Sequence, residues 1–316
     1  MGESRPLMEH RLLVTGYGGF VAGSVVWQAL GGGRWDVHAL SLLEGPQERE
    51  RFHCRQFDLC DEAALEAAFA EIAPAAVIHA AALADIDFCQ SNQQSARRVN
   101  VGVTAQLARL CSRSGAKLIL CSTDSVFDGV KGMYTEDDPP RALNFYAETK
   151  VEAEGVVRGA VPNGVVTRLG LVMGLPVLGA GNSFLARMQE SLKRGQAVKF
   201  PANEIRTPID VITLGRALLE LAENTFSGTI HLAGSTRINR YEMACFLAGR
   251  LGYRPELVGA TDSNAIAGRA PRPNDASLDN AQARRVLATP MLTLSDGLDL
   301  VLRMKELQQG GQAPRA

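Results

Sequence analysis

The chain has 316 residues, of which 46% are hydrophobic and 21% are charged, and its formal net charge is −1. This composition is typical of a globular protein, and the absence of any run of like charge excludes a basic footprint for nucleic acid or a membrane surface. No stretch of about 18 apolar residues predicts a membrane span. The six cysteines form no CxxC pair and no zinc-like spacing, so we expect free thiols, a reducing cytoplasmic compartment, no metal site and a small-molecule partner.

From Arg11 onward, short apolar runs alternate with longer helical patterns, as is typical of βαβ units. Strands are predicted at residues 11–15, 36–41, 52–57, 75–81, 117–122 and 164–169. Crossover helices are predicted at residues 18–30, 61–72, 91–114 and 144–160. The sequence therefore predicts an α/β fold with a Rossmann-type, doubly wound parallel sheet.

The regular alternation ends after Leu169, where a glycine- and proline-rich segment follows. Later elements are predicted at residues 182–194, 210–223, 229–233 and 295–307, the last of them a helix that caps the substrate side. We expect a Rossmann domain at 11–170 that is completed by 207–233. A smaller C-terminal substrate-binding domain is expected from 171–206 and 234–307. Residues 1–10 and 308–316 are expected to be tails.

A glycine turn, VTGYGGFVAGS, follows the first predicted strand and opens a helix. Gly16 suits a tight turn, Gly19 allows a pyrophosphate to approach backbone N–H groups, and Ala22 is the third small position. A purely conformational turn is the alternative, but a strand before and a helix after favour dinucleotide binding. We assign Gly16, Gly19, Phe20 and Ala22 to the cofactor site.

The end of the second predicted strand bears on the choice of dinucleotide. Ser41 stands where an NAD-binding protein places an acidic residue, while Asp36 begins the strand and Glu44 lies beyond it. Without that acid a 2′-phosphate is not repelled, so NADP(H) is preferred and NAD(H) remains possible. Asp58, with Leu59, follows the third strand and is assigned to the adenine amino group; a loop aspartate before the helix is the alternative.

The stretch NFYAETK places Tyr146 and Lys150 four positions apart on a predicted helix, and therefore on one face. A neighbouring ammonium favours a phenolate, so we expect Lys150 to lower the pKa of Tyr146 toward neutrality. The pair then exchanges a proton with a carbonyl or alcohol oxygen while a nicotinamide exchanges hydride. Two polar residues that merely share a helix face are the alternative.

Strand ends supply the companions of this pair. The segment CSTDSVFDG follows the fifth strand, where Thr123 is predicted to bond a carbonyl oxygen and Asp124 to orient it or to relay a proton; a simple strand-end turn is the alternative. Small residues after the fourth strand allow a cofactor to lie against the backbone, whereas His79 reads as a packed structural residue. The further cofactor residues are therefore Ala80, Ala81, Ala82 and Ser122.

Six segments of the chain resemble extended short-chain dehydrogenases/reductases of the dTDP-4-dehydrorhamnose reductase type. They are TGYGGFVAG, HAAALADID, RRVNVGVTAQLA, STDSVFDGVKGMYTEDDPPRALNFYAETKVEAE, GNSF and RPNDASLDN. The resemblance implies NADPH-dependent reduction of a 4-keto nucleotide sugar. It implies that Tyr146 is the acid, that Lys150 binds the nicotinamide ribose, that Thr123 and Asp124 complete the catalytic set, and that Asn100 belongs to the cofactor site.

On the substrate side, the resemblance assigns Arg206 and Arg272 to the diphosphate, with surface ion pairing as the alternative. The chain departs from the family where AALADIDFCQ replaces AAYTAVDKAE but keeps Asp87, which we assign to the substrate. It departs again where RLGLVMG replaces the tryptophan-containing RTSWVYG. Two further readings stay open, an NAD-retaining epimerase or dehydratase and a non-catalytic regulatory subunit similar to the β subunit of methionine adenosyltransferase. We also consider a homodimer.

Overall fold

The computed structural model describes residues 10–42, 50–178 and 181–309. Glu44 and most of both expected tails lie outside these ranges. The strands are β1 (His10–Thr15), β2 (Trp35–Ser41), β3 (Phe52–Gln56), β4 (Ala76–His79), β5 (Lys117–Thr123), β6 (Val165–Leu169), β7 (Val172–Met173), β8 (Val198–Pro201), β9 (Ile205–Arg206), β10 (Ile209–Asp210), β11 (Gly228–Leu232), β12 (Ile238–Asn239) and β13 (Val258–Thr261). The helices are α1 (Phe20–Gly32), α2 (Glu62–Ile72), α3 (Ile86–Ser91), α4 (Gln93–Arg97), α5 (Val103–Ser114), α6 (Phe145–Ala160), α7 (Phe184–Lys193), α8 (Val211–Glu223), α9 (Arg240–Arg250), α10 (Ala281–Val286) and α11 (Leu294–Gln309).

Seven strands form one parallel sheet in the order β11-β6-β5-β4-β1-β2-β3. The order runs outward in both directions from β1 and β4, which is the doubly wound arrangement predicted from the sequence. The predicted strands are confirmed, although β4 is shorter than residues 75–81. In such a sheet a crevice forms beyond the carboxyl ends of the strands at the point of reversal, and ligands bind there.

The sheet is covered by helices on both faces because its strands are apolar on both sides. Val25 of α1 and Leu218 of α8 belong to the core on one face. Leu65 of α2, Leu107 of α5 and Val157 of α6 belong to the core on the other. Each of these side chains is at most 1% exposed, and burial of one such side chain contributes about 1.5–3 kcal/mol.

The prediction of one continuous helix at residues 91–114 is wrong, because the structure divides this segment into several helical pieces. The segment contains the end of α3, then α4, a π-helical turn over Arg98–Gly102, and α5. Asn92 interrupts the first part because its backbone, at φ −126° and ψ 56°, is not helical. Single π-helical turns occur often at functional sites, and this one carries Asn100.

A separate apolar core lies in the second half of the chain. It is formed largely by α7, α9 and α11, with Met188, Leu247 and Leu298 among its buried members. Three two-stranded sheets, β7 with β10, β9 with β12 and β8 with β13, accompany these helices. The exact domain boundaries stay a prediction, while α11 runs to Gln309 and so enters the segment expected to be a tail. Within the described ranges, no helix has the length and apolar character needed to cross a membrane.

Candidate active site

A cleft of about 540 Å³ lies at the carboxyl ends of β5 and β6. Residues from both halves of the chain line it, including Val21 from the first turn of α1. The sequence-predicted residues that it brings together are Asp87, Ser122, Thr123, Asp124, Tyr146, Arg206 and Arg272. The location matches the place where an open parallel sheet presents its ligands.

Helix α6 places Tyr146 in this cleft. The helix begins after Asn144, whose side chain accepts a hydrogen bond from the Ala147 N–H at 3.0 Å and so caps the first turn. One turn further on, Lys150 lies on the same face, and both side chains are buried.

Burial sets the protonation of this pair. It raises the pKa of Tyr146, which a hydrogen bond from Thr123 only partly offsets. It also lowers the pKa of Lys150, against the opposing charges of Cys121 and Glu154. The pKa of the phenol therefore moves in the direction opposite to that expected from the sequence, because burial disfavours the charged phenolate. A phenol held protonated is suited to donate a proton.

The residues after β5 form a hydrogen-bonded turn beside the tyrosine. The Thr123 hydroxyl accepts from the Ser125 N–H at 3.2 Å and lies 3.3 Å from Asp124 Oδ1. Burial raises the pKa of Asp124, while the charge of Arg206, whose Nε lies 3.5 Å from Asp124 Oδ2, acts against it. Asp124 Oδ2 is buried and has no hydrogen-bond partner in the described part of the chain. A polar ligand in the cleft would satisfy it.

A buried ionic network, which the sequence did not reveal, supports the floor of the site. The Ser122 hydroxyl donates to Glu154 at 2.6 Å, and Arg168 Nη2 donates to the same carboxylate at 2.8 Å. Burial raises the pKa of Glu154, but hydrogen bonds and charge from Arg168 outweigh it and the net shift is downward. Ser122, assigned to the cofactor from the sequence, therefore has its hydroxyl committed to Glu154. The sequence did carry one indication of this network: Glu154 lies four residues beyond Lys150, and therefore on the same face of the helix.

Asn100 connects the loop after β4 to the catalytic helix. Its side-chain oxygen accepts from the Leu83 N–H at 2.8 Å, and its side-chain nitrogen donates to the Leu83 carbonyl at 3.1 Å and to Thr149 Oγ1 at 2.9 Å. The loop that Asn100 holds includes the predicted cofactor residues Ala80, Ala81 and Ala82. Asn100 thus fixes this loop relative to the helix that carries Lys150.

His79, at the end of β4, is a packed structural residue, as the sequence indicated. Its ring nitrogens lie 2.7 Å from Thr15 Oγ1 and 3.1 Å from Thr104 Oγ1. Burial lowers the pKa of His79 to about 3, so the imidazole is neutral.

The glycine turn fits a dinucleotide pyrophosphate. Gly16 has φ +79°, and a Cβ there would lie 2.8 Å from the Ala81 Cα, so only glycine is tolerated. Gly19 is the N-cap residue of α1, and within the described residues no side chain caps the first N–H groups of this helix. These donors are therefore free to bind an anion.

Ala22, the third small position of the glycine turn, is buried in the core that contains Leu12 and Val14 of β1. A Cβ at the next residue, Gly23, would lie 2.5 Å from the Leu178 carbonyl oxygen. Phe20, the first residue of α1, packs partly buried against the core of the second half of the chain.

The remaining predicted cofactor residues lie beyond β2 and β3. The Ser41 hydroxyl donates to the Tyr17 carbonyl at 3.0 Å, which joins the end of β2 to the glycine turn. Asp58 accepts from the Cys60 N–H at 2.9 Å and so shapes the turn before α2, whose own cap is Asp61. Leu59 packs partly buried on the neighbouring core. No carboxylate occupies the position of Ser41.

Arg206 is largely committed to the protein itself. Its Nη1 donates to the carbonyls of Ile205 at 2.7 Å and Asn274 at 3.1 Å, and its Nη2 donates to the carbonyl of Pro273 at 3.0 Å. Its Nε faces Asp124. This arginine therefore holds the loop around residue 273 in place and is buried at the edge of the cleft, where it contributes positive charge.

Arg272 and Asp87 form a two-pronged ion pair across the cleft. Nη1 lies 2.6 Å from Asp87 Oδ1 and Nη2 lies 2.7 Å from Oδ2, while the Ala270 N–H donates to Oδ1 at 2.9 Å. The hydrogen bond from Arg272 lowers the pKa of Asp87 to about 2. The structure thus shows Arg272 in the ion-pairing role that the sequence left as an alternative to diphosphate binding.

The cleft residues that the sequence analysis did not assign include Glu204, Arg240 and Arg269. Arg240 Nη1 donates to Glu204 Oε2 at 3.1 Å, yet Glu204 Oε1 and Arg240 Nε are buried without a hydrogen-bond partner in the described ranges. Burial lowers the pKa of Arg269, whose Nε lies 3.9 Å from an Asp87 oxygen. The only sequence signal was the i, i+2 spacing of Glu204 and Arg206. These atoms make the cleft suited to a polar, anionic ligand.

The wall after β6 is aliphatic, as the sequence RLGLVMG indicated. Leu169, Leu171 and Val172 line the cleft there. Aliphatic side chains therefore line the cleft where the family segment RTSWVYG carries a tryptophan.

The fold and site together define an extended short-chain dehydrogenase/reductase. Residues 10–306 match the family model described as RmlD substrate binding domain, and the chain belongs to this family. It is 31% identical over 287 residues to dTDP-4-dehydrorhamnose reductase of Mycobacterium tuberculosis, covering 89% of this chain and 88% of that protein. It is 30% identical over 284 residues to methionine adenosyltransferase 2 subunit beta of Rattus norvegicus, covering 88% and 82%. The resemblance inferred from the sequence is confirmed.

Solved structures agree on the fold. A dTDP-4-dehydrorhamnose reductase from Bacillus anthracis, in complex with NADP, superposes with a TM-score of 0.84 at 21% identity and covers 94% of this chain and 100% of that one. A hypothetical dTDP-4-dehydrorhamnose reductase from Sulfolobus tokodaii gives a TM-score of 0.78 at 29% identity, with 91% and 99% covered.

Proposed function

We propose that this protein is an NADP-dependent oxidoreductase that reduces a keto group of a nucleotide sugar. The observation that carries the proposal is the meeting of Thr123, Asp124 and Tyr146 with a cluster of arginines in one cleft. The relatives named dTDP-4-dehydrorhamnose reductase support the same reaction class. The hydroxyl groups of Thr123 and Tyr146 suit a carbonyl oxygen, and the arginines suit an anionic group attached to the same substrate.

Each side chain has a part in this reaction. When bound, NADPH supplies the hydride. The Tyr146 phenol, kept protonated by burial, donates its proton to the substrate oxygen. Thr123 bonds the same oxygen, and Asp124 orients Thr123. Lys150, one turn along the helix, places a buried amine beside the tyrosine and binds the nicotinamide ribose.

The glycine turn and the loop after β4 form the proposed cofactor site. Gly16, Gly19 and the open first turn of α1 bind the pyrophosphate, and Ala80 to Ala82 line the site. Ser41 leaves the ribose 2′ position without a repelling carboxylate, which favours NADP(H) over NAD(H). The NADP complex of the Bacillus anthracis protein, a relative by fold, is consistent with this preference.

Arg240 and Arg269 are the proposed ligands of the substrate diphosphate, and the buried Arg206 adds positive charge beside them. The Asp87–Arg272 pair and the aliphatic residues Leu171 and Val172 border the sugar. This aliphatic border favours a sugar with a deoxygenated or otherwise apolar face, because the wall offers no hydrogen-bonding side chains.

A non-catalytic regulatory subunit is the second candidate, since the relative from Rattus norvegicus carries the name methionine adenosyltransferase 2 subunit beta at nearly equal identity. The intact set of Thr123, Tyr146 and Lys150 favours catalysis. An epimerase or dehydratase that retains NAD through turnover uses the same set of residues, and the experiment below distinguishes it from a reductase.

A cytoplasmic location and a homodimer complete the proposal. Light scattering of the purified protein measures its oligomeric state.

The deciding experiment follows NADPH consumption by purified protein with a panel of keto nucleotide sugars. We expect turnover with at least one of them and a lower rate with NADH. If the purified protein carries stoichiometric NAD and consumes no NADPH, the reductase proposal is wrong and an epimerase is favoured. Failure of every substrate, combined with specific capture of a methionine adenosyltransferase catalytic chain, would replace catalysis with the regulatory role.

A further inference from the structure

Two histidines and an aspartate converge on one face of β2 and β3, away from the cleft. Asp36 and His38 are two residues apart on β2 and therefore project to the same side, and the strand register pairs His38 with His53. His38 Nε2 lies 3.1 Å from Asp36 Oδ2, and His53 Nε2 lies 3.2 Å from Asp36 Oδ1. Across the three described ranges, no other group of His, Cys, Asp and Glu side chains converges in this way.

The spacing of these atoms matches a metal coordination sphere. For a tetrahedral Zn²⁺ site with ligand bonds near 2.0–2.1 Å, neighbouring ligand atoms are about 3.3 Å apart. Each histidine nitrogen lies at about this distance from a different oxygen of the Asp36 carboxylate, and one ligand atom from each residue lies within 4.8 Å of the others. The imidazole rings of His38 and His53 stack face to face with their centroids 4.7 Å apart, and this contact orders both rings.

The surroundings permit an ion to enter and to be held. Side-chain exposure is 13% for His38, 16% for Asp36 and 36% for His53, so the group is shallow and leaves room for a water ligand. Arg55 lies on the same face of β3, and its guanidinium is paired with Glu71 at 2.7 Å. Its positive charge is thereby balanced, while Asp36 supplies the negative charge at the site.

We propose that Asp36, His38 and His53 bind one Zn²⁺-type divalent transition metal ion per chain. Imidazole nitrogen with a single carboxylate suits zinc and similar ions, whereas Mg²⁺ and Ca²⁺ prefer oxygen ligands. Asp36 lies near the amino-terminal end of β2 and Ser41 at its carboxyl-terminal end, so the ion is remote from the cleft. It acts as a clamp between β2 and β3, the last strand of the sheet.

The sequence predicted no metal site because its reasoning rested on cysteine spacing. The alternation Asp-x-His within a strand carried a weak signal, since it places both side chains on one face. The third ligand comes from another strand, and its position depends on the strand register.

The test is calorimetric titration of ZnCl₂ into untagged protein freed of metal by a chelator. We expect one ion per chain, and His38→Ala and His53→Ala should each weaken binding about tenfold or more, because each removes a ligand. His10→Ala is the matched control, since His10 is an exposed histidine on the neighbouring strand β1 whose ring packs against Trp35. It should bind Zn²⁺ like the wild type, and Mg²⁺ should neither bind nor compete.

Thermal unfolding supplies a second readout. Zn²⁺ should raise the Tm of the wild type and of His10→Ala and leave that of His53→Ala unchanged. His53 is the most exposed of the three ligands, so this variant remains informative if His38→Ala fails to fold. Absence of binding, equal loss in the control, or unchanged affinity in His53→Ala would each overturn the site and leave the three residues as a hydrogen-bonded cluster only.

Discussion

The cleft has a proposed cofactor side, formed by the glycine turn and the loop after β4, and a proposed substrate side, formed by charged residues, and the two sides differ in the groups that line them. The cofactor side uses backbone: Gly16 packs against Ala81, and the first turn of α1 is left without a side-chain cap. The substrate side uses charged side chains that pair with one another across long stretches of chain, as Asp87 does with Arg272. The glycine turn is visible in local sequence, whereas the charged side depends on tertiary contacts, so the turn was predicted and the Glu204–Arg240 pair was not.

Tyr146, at the junction of the two sides, carries the largest expected effect. Tyr146→Phe removes the proton donor and should lower kcat by about 10²-fold or more, while NADPH affinity stays the same. Steady-state turnover and a fluorescence titration of NADPH measure the two quantities. Tyr253→Phe, a tyrosine outside the cleft, should leave both unchanged, and undiminished turnover in Tyr146→Phe would remove the tyrosine from the mechanism.

A substitution at Gly16 isolates the cofactor side. Gly16→Ala combines a positive φ with a backbone clash, so it should lower the free energy of unfolding by about 1–3 kcal/mol and abolish tight NADPH binding. Gly115→Ala is the matched control, because Gly115 also has φ +79° but a Cβ there meets nothing within 4 Å. Denaturant unfolding and NADPH titration of both variants separate the clash from the φ effect. Equal behaviour of the two variants would refute the close approach of Ala81.

Asp87 isolates the substrate side. Asp87→Asn weakens the pairing with Arg272 and should raise the KM for the keto substrate by about fivefold or less, since Asp87 is partly exposed. NADPH affinity and kcat should change little. Glu152→Gln, which breaks the exposed pair with Arg97, serves as the control and should not alter KM. A change in NADPH affinity in Asp87→Asn would contradict the division of the cleft into two sides.

The smallest expected effect is the acid sensitivity of the same pair. Because the pKa of Asp87 is lowered from 3.8 to about 2 in the folded protein, its stabilisation is complete above 3.8 and is lost as pH falls through about 2. Wild type should exceed Asp87→Asn in free energy of unfolding by about 1 kcal/mol or less at neutral pH. Urea unfolding at a series of pH values should show the difference narrowing in that window. A difference independent of pH would mean that the carboxylate charge contributes nothing.

Local pattern was enough for the sheet, the glycine turn and the helix of Tyr146, because strand alternation and i, i+4 spacing are properties of neighbouring residues. It was not enough for Glu204 and Arg240, which meet only after the second half of the chain folds. It also gave the wrong direction for the pKa of Tyr146, since burial is a property of the whole fold. The break at Asn92 and the π-helical turn at Asn100 were also missed, because the helical pattern of residues 91–114 does not show where the backbone departs from an α-helix.

The three carbonyls held by Arg206 have a consequence for redesign. Ile205, Pro273 and Asn274 share this one guanidinium, and Asp124 lies beside it. A loop from a relative, grafted at residues 269–275 to change substrate scope, must therefore present two carbonyls at the same positions. A graft that fails to do so leaves Arg206 without these partners beside Asp124, and the engineered specificity then disturbs the residue proposed to orient Thr123.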